Sequence, residues 1–284
     1  LTIQANIKSN DLNKQLTQSL AESVIQSSAI FKATEDPKEY AAYTWIKENH
    51  LFAHGLGEIN GVVTTNSLEA FQASYDKGFK VFEADLLLTS EGDLVLAHDN
   101  WRFITNVDGS ISKIDSPISY EAFRMMQQGE GLTTLSFEEM AKLMVENKDV
   151  RIITDTKETN PAAVKAQFDA MMTIINKYDK NLIKRITPQF YDEAMYYQLK
   201  KDYKFESYIY TLYMSPDSNE TVLNFMTKNG IKILTMPETM ITQKFLTDIV
   251  GNGIYACTHT INSVKLYDKY RKMGVYGFYT DSLM

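Results

Sequence analysis

From residue 50 onward the chain alternates between short runs rich in β-branched and aromatic residues and longer stretches whose apolar positions recur every three or four residues. The first texture is that of buried strands and the second that of amphipathic helices, so the segment reads as successive βα units on a parallel sheet. Strands are expected at 51–54, 81–89, 150–157, 182–190, 208–213, 231–236, 254–261 and 277–280, with helices at 161–177, 192–203, 218–228, 242–250 and 263–273. After the first strand, Asn66-Ser67-Leu68-Glu69 has the spacing of a capping box, Leu68, Phe71 and Tyr75 share one face, and Gly78 ends the helix. Eight strands in this alternation predict an α/β fold of the TIM (β/α)8 barrel type over residues 50–284. No glycine-rich dinucleotide fingerprint interrupts the pattern.

Two segments depart from the alternation. Residues 1–49 are polar, rich in Gln and Ser, and carry helical patterns around Leu12–Ile25 and Pro37–Glu48. They are expected to form a helical extension that packs on the barrel. Residues 100–131 read as an insertion after the second strand, on the upper face. The sequence stops just after the eighth strand, so a helix from the N-terminal extension is expected to cover the position of the closing helix.

Composition narrows the picture only slightly. With 44% apolar and 23% charged residues the chain is an ordinary globular one. Its net charge of -7 argues against a generic nucleic-acid partner but not against a phosphate site organised by a metal ion. Cys257 is the single cysteine, so no intrachain disulfide forms. No run of about 18 apolar residues is present. A start at Leu1 rather than Met and a polar N-terminal arm set the expectation of a secreted or membrane-tethered bacterial protein whose upstream segment has been removed.

The chemistry concentrates on the second strand. In VFEADLLL, Val81, Glu83, Asp85 and Leu87 share one face, while Phe82, Ala84, Leu86 and Leu88 share the other. The apolar face belongs against the helices, which points both carboxylates into the barrel with α-carbons about 7 Å apart. Such a pair resists joint ionisation unless salt bridges or a cation compensate it. All-oxygen ligands suit Mg²⁺ or Ca²⁺. Asp155, on the third strand, is the natural third ligand, and Lys157 follows on the same face. His54 and His98 close the first strand and the hairpin after the second, the end of a barrel where chemistry is placed. One can act as base and the other as acid in a displacement at phosphorus. His50 reads as structural and His259 as ambiguous. The tyrosine-rich segments 191–203 and 208–213 read first as packing, with the lining of a lipid- or polyol-binding mouth as the alternative.

At these residues the sequence resembles the glycerophosphodiester phosphodiesterase family of the phosphatidylinositol phospholipase C-like superfamily. AHG at 53–55 and NSLEAF at 66–71 look like its His-Arg-Gly and Asn-Thr-x-x-Ala-Phe elements, and FEADLLLTSEGDLVLAHD at 82–99 is similar to its Glu-x-Asp and His-Asp run. LTTLSFEEM at 132–140, HTIN at 259–262 and GVYGFYTD at 274–281 resemble its later elements. The resemblance implies one divalent cation on Glu83, Asp85 and Asp155, and an acid–base pair of His54 and His98. It also implies phosphate or substrate contacts from Lys157 and His259, and hydrolysis of a glycerol-phosphate type diester. The implied partner is a small-molecule or lipid-derived phosphodiester, with association to a membrane or cell-wall surface left open and no nucleic acid.

Three departures stand out. Gly55 replaces the arginine after the first histidine, Asp155 replaces a glutamate in Glu-x-Lys, and His259 replaces the tryptophan of Trp-Thr-x-Asn. Asp-x-Lys also resembles the sphingomyelinase D branch, whose implied product is a cyclic phosphate. Loss of the arginine keeps a third reading alive, a barrel that binds without turnover. A glycosidase reading fails, because Glu83 and Asp85 sit on one strand instead of facing each other across a substrate.

Overall fold

The computed structural model describes residues 41–98, 103–105, 111–113, 117–125 and 131–283. Its core is a closed barrel of eight parallel strands: β1 (Leu51–Ala53), β2 (Val81–Leu88), β7 (Arg151–Asp155), β8 (Ile186–Phe190), β9 (Ile209–Thr211), β10 (Ile233–Pro237), β11 (Tyr255–His259) and β12 (Gly277–Thr280). Strand β1 closes the ring, pairing Phe52 with Tyr279 of β12 and with Val81 of β2. All eight expected strands are present. Several end earlier than expected: His54, Lys157 and Ile261 lie beyond their strands, and Lys180–Arg185 is a 3-10 turn before β8.

Helices follow the strands because each βα turn ends in a side chain that caps the next helix. Ser67, Asn160, Asp192, Ser218, Thr242 and Ser263 each accept a backbone N–H of the first turn of α2 (Leu68–Asp76), α5 (Pro161–Tyr178), α6 (Glu193–Asp202), α7 (Asn219–Asn229), α8 (Gln243–Gly251) and α9 (Val264–Met273), respectively. The capping box expected at Glu69 is not formed. Ser67 is the cap, so Glu69 sits one position too early and instead accepts the Thr133 amide at 2.8 Å and the Thr133 hydroxyl at 2.7 Å. A capping box does occur at α4 (Phe137–Glu146), between Ser136 and Glu139.

The departure from alternation begins earlier than residue 100. Strand β3 (Leu94–Leu96) runs antiparallel to β2, and β6 (Leu135–Ser136) runs antiparallel to β3. Between them lie a short antiparallel pair, β4 (Phe103–Thr105) with β5 (Ile111–Lys113), and α3 (Tyr120–Met125). Phe123 of α3 packs on Leu87, Val95 and Ala97. The remaining stretches of the insertion lie outside the described residues.

Two apolar regions result. The outer one joins the helices to the outward faces of the strands, including Phe82, Ala84 and Leu86, as strand parity requires. The inner one fills the barrel from its N-terminal end, where α1 (Thr44–Glu48) inserts. Tyr43, Trp45 and Ile46 are buried there against Val81, Ile209 and Ile233, and the Arg151 guanidinium lies 4.9 Å from the Trp45 ring. Thus α1 seals the barrel floor, a different place from the closing-helix position expected for the N-terminal extension. The pattern around residues 12–25 lies outside the described residues.

Candidate active site

Parity sets the site. Glu83 and Asp85 point inward from β2 and are buried, and the parallel register places Asp85 directly beside Asp155 of β7. A ligand oxygen from each of the three carboxylates lies within 4.8 Å of the others. Three buried acids this close cannot all ionise without compensation.

The compensation is distributed unevenly. Glu83 Oε2 accepts the Gly55 backbone N–H at 2.7 Å, and among the described residues no Lys or Arg forms an ion pair with Glu83. Burial first, then the Asp85 charge, pushes the Glu83 carboxyl up to about 8. Asp85 Oδ2 accepts from Asn66 Nδ2 at 2.8 Å, and the Asp85 amide donates back to Asn66 Oδ1 at 3.1 Å. Asp155 Oδ1 accepts the hydroxyls of Tyr191 and, at 2.9 Å, Tyr213. Burial opposes the Asp155 charge, but the Lys157 ammonium and these phenols hold its carboxyl below the ordinary value. Lys157 Nζ spans the pair, 3.0 Å from Asp155 Oδ2 and 2.9 Å from Asp85 Oδ1.

The donor set fits a hard divalent cation. All three groups are carboxylates, which suits Mg²⁺ or Ca²⁺ without distinguishing them. Asp85 Oδ1 is the informative atom. It is buried and lies near Lys157 but receives no aligned hydrogen bond. A buried carboxylate oxygen left this way has the lone pair a cation needs.

The groups surround a cavity of about 180 Å³. His54, Glu83, Asp155 and Lys157 line it together with Gln189, Tyr213, His259 and Tyr279. His54 lies in the 3-10 turn after β1, and its Nδ1 is 2.8 Å from Asp281 Oδ1. Asn262 holds that carboxylate in turn, donating from Nδ2 to Oδ2 and accepting the Asp281 amide at 2.8 Å. The imidazole is therefore fixed with Nδ1–H on the carboxylate and Nε2 free for a ligand. Burial disfavours its charged form, but the Asp281 hydrogen bond and the charges of Glu83, Asp281 and Asp85 outweigh that and raise it to about 9.

The other expected residues divide. His259 lines the cavity, whereas His98 does not; it is half-buried two residues past β3, next to Ala97, whose amide donates to the Asp85 carbonyl at 3.0 Å. His50 packs edge-on to Tyr276 at 4.8 Å, a structural role. Four residues that hold the site were not singled out from the sequence: Asn66, Asp281, Tyr191 and Tyr213. Each had a local signal, a polar or phenolic residue one or two positions beyond a strand or just before a helix cap. Tyr191 and Tyr213 belong to segments expected to pack, and Tyr196, Tyr203 and Tyr208 of the same segments do so.

These shifts give a stability prediction. Above pH 6.5 the unfolded state has lost its His and Glu protons, while the folded metal-free protein still holds one on His54 up to about 9 and one on Glu83 up to about 8. The folded state thus binds more protons, so stability falls as pH rises, by roughly 1 kcal/mol per pH unit for each proton. His259, lowered to about 4 chiefly by burial, is neutral in both states over this window and drops out. Thermal unfolding in chelator between pH 6.5 and 8 is expected to show a falling Tm that saturating Mg²⁺ or Ca²⁺ flattens. A Tm that climbs across that window contradicts the assignment.

Known proteins resemble this chain in sequence and in fold. The sequence model of the glycerophosphoryl diester phosphodiesterase family matches residues 59–284. No curated protein matches the chain. Solved structures that it resembles include a glycerophosphodiester phosphodiesterase from Parabacteroides distasonis, with 18% identity, TM-score 0.63, and 82% of this chain and 92% of that one covered. A phosphodiesterase from Oleispira antarctica, solved with the product sn-glycerol-3-phosphate, has 15% identity and TM-score 0.66 over 84% of this chain and 95% of that one. A glycerophosphodiester phosphodiesterase from Thermotoga maritima has 22% identity and TM-score 0.58 over 82% and 94%. Together with the eight-stranded parallel barrel, the family match over most of the sequence means that this chain belongs to the glycerophosphoryl diester phosphodiesterase family of phosphoric diester hydrolases.

Proposed function

We propose that the protein is a divalent-metal-dependent phosphodiesterase that hydrolyses a glycerol-phosphate type diester. The observation that carries this is the convergence of Glu83, Asp85 and Asp155 on one point, beside a cavity walled by His54 and Lys157. A bound cation supplies charge neutralisation at the phosphoryl oxygens and a lowered pKa for the attacking oxygen.

The protein's own groups do the rest. Lys157 places a permanent positive charge against the phosphate. His54 carries a proton on Nε2 at neutral pH and delivers it to the departing alkoxide, while Asp281 keeps the opposite ring nitrogen occupied. His98 is assigned the complementary role of accepting the proton of the attacking hydroxyl or water. It follows β3, the strand paired to the Asp85 end of β2. His259 contacts the substrate from the β11 side.

The test is incubation of the purified protein with glycerophosphocholine and Mg²⁺ or Ca²⁺, followed by phosphorus NMR. A glycerol phosphate monoester is expected. A cyclic phosphate identifies the sphingomyelinase D-like course to which Asp155-x-Lys157 also conforms, and no turnover with either metal rejects hydrolysis.

A further inference from the structure

One side chain holds both functional ends of the Asp155-Thr156-Lys157 run. Tyr191 directly follows β8 and is fully buried. Its hydroxyl donates to Asp155 Oδ1 and accepts the Lys157 backbone N–H at 2.8 Å. A single phenol oxygen therefore gives its proton to the first residue of the run and a lone pair to the third.

The second contact falls where the backbone needs support. Lys157 has φ +50, in the left-handed region, which a residue with a Cβ occupies only when its surroundings hold it there. From this turn the side chain comes back over the acids, with Nζ 3.0 Å from Asp155 Oδ2 and 2.9 Å from Asp85 Oδ1. Tyr213 makes a useful contrast. Its hydroxyl reaches the same carboxylate, 2.9 Å from Oδ1 and 3.1 Å from Oδ2, but from the exposed wall of the cavity. The bond to the Lys157 amide belongs to Tyr191.

We propose that Tyr191 is a positioning residue whose phenol fixes Asp155 as a cation ligand and, through the Lys157 amide, fixes the ammonium where it meets the phosphate. This rests on the phosphodiesterase reading above. It also couples the two halves of the site: a change at one buried hydroxyl reaches both the cation and the phosphate. Tyr191→Phe keeps the ring and its packing and removes the two hydrogen bonds.

The experiment is calorimetry on the full chain as wild type, Tyr191→Phe, Lys157→Met and the double variant. The ligands are Mg²⁺ or Ca²⁺ alone, then glycerol 3-phosphate at saturating cation. In the Lys157→Met background, where no ammonium competes for the oxygens, Tyr191→Phe should weaken cation binding by about 10- to 100-fold. Glycerol 3-phosphate should bind Tyr191→Phe about 10-fold more weakly than the wild type, and the same change should cost little more once Lys157 is methionine. Unchanged cation affinity overturns the proposal. So do phosphate losses that add in full, the result expected of a general loosening of the fold. If the wild type binds neither cation nor glycerol 3-phosphate, the phosphodiesterase reading is what has failed. Hydrogen exchange at the Lys157 amide in the metal-free protein then judges Tyr191 by itself. Exchange about 10-fold faster in Tyr191→Phe supports its hold on the turn, and an unchanged rate counts against it.

Discussion

Replacing His54 with alanine is expected to lower kcat/KM on glycerophosphocholine by about 10²–10⁴, the usual contribution of a positioned proton donor. The size follows from how completely the imidazole is prepared. Its Nδ1 is anchored on Asp281, which Asn262 holds from the side. Alanine removes the proton, while the backbone N–H of Gly55 still serves Glu83. As the proposed proton donor, His54 would act in its protonated form, so activity should decline as pH rises through its pKa, which lies at about 9 in the metal-free protein. A cation held by Glu83 and Asp85 would offset their charge and bring that limb lower. Asp281→Asn should move the alkaline limb to lower pH by a unit or more, a change that simple loss of packing does not produce. Full activity in His54→Ala, or an alkaline limb indifferent to Asp281→Asn, removes His54 from the mechanism.

The second large effect concerns the acids and the lysine between them. Asp85→Asn is expected to weaken Mg²⁺ or Ca²⁺ binding by about 100-fold or more and to abolish turnover, since even residues behind metal ligands cost about 10–100-fold when changed. Lys157→Met should separate the two readouts. The ammonium is within 3.0 Å of both Asp85 and Asp155, where it competes with a divalent ion for the same oxygens. Removing it should tighten cation binding measured by calorimetry while turnover falls, because the phosphate loses its fixed charge. Weaker cation binding in Lys157→Met contradicts the competition.

The inward-facing part of this site was legible because it depends on periodicity alone. Glu83 and Asp85 alternate with Phe82 and Ala84, and no other fold direction buries the apolar set. Asp155 followed from the same logic one βα unit later, and the register sets it beside Asp85. The positioning residues resisted because their partners are distant in the chain: Asp281 meets His54 across 227 positions, and Tyr191 meets Asp155 across 36. Local pattern carries no information about such pairs. Strands β3 and β6, three and two residues long, are too short for a period to register. The strand ends were overextended because polar functional residues such as His54 and Lys157 continue the alternation after the backbone has turned away; both the turn at Gly55 and Lys157 itself have positive φ.

Trp45 and its neighbours enter the barrel from the end opposite the acids and histidines. The stack of inward side chains therefore separates α1 from the mouth, and a ligand reaches the acids and histidines from the end that α1 leaves open.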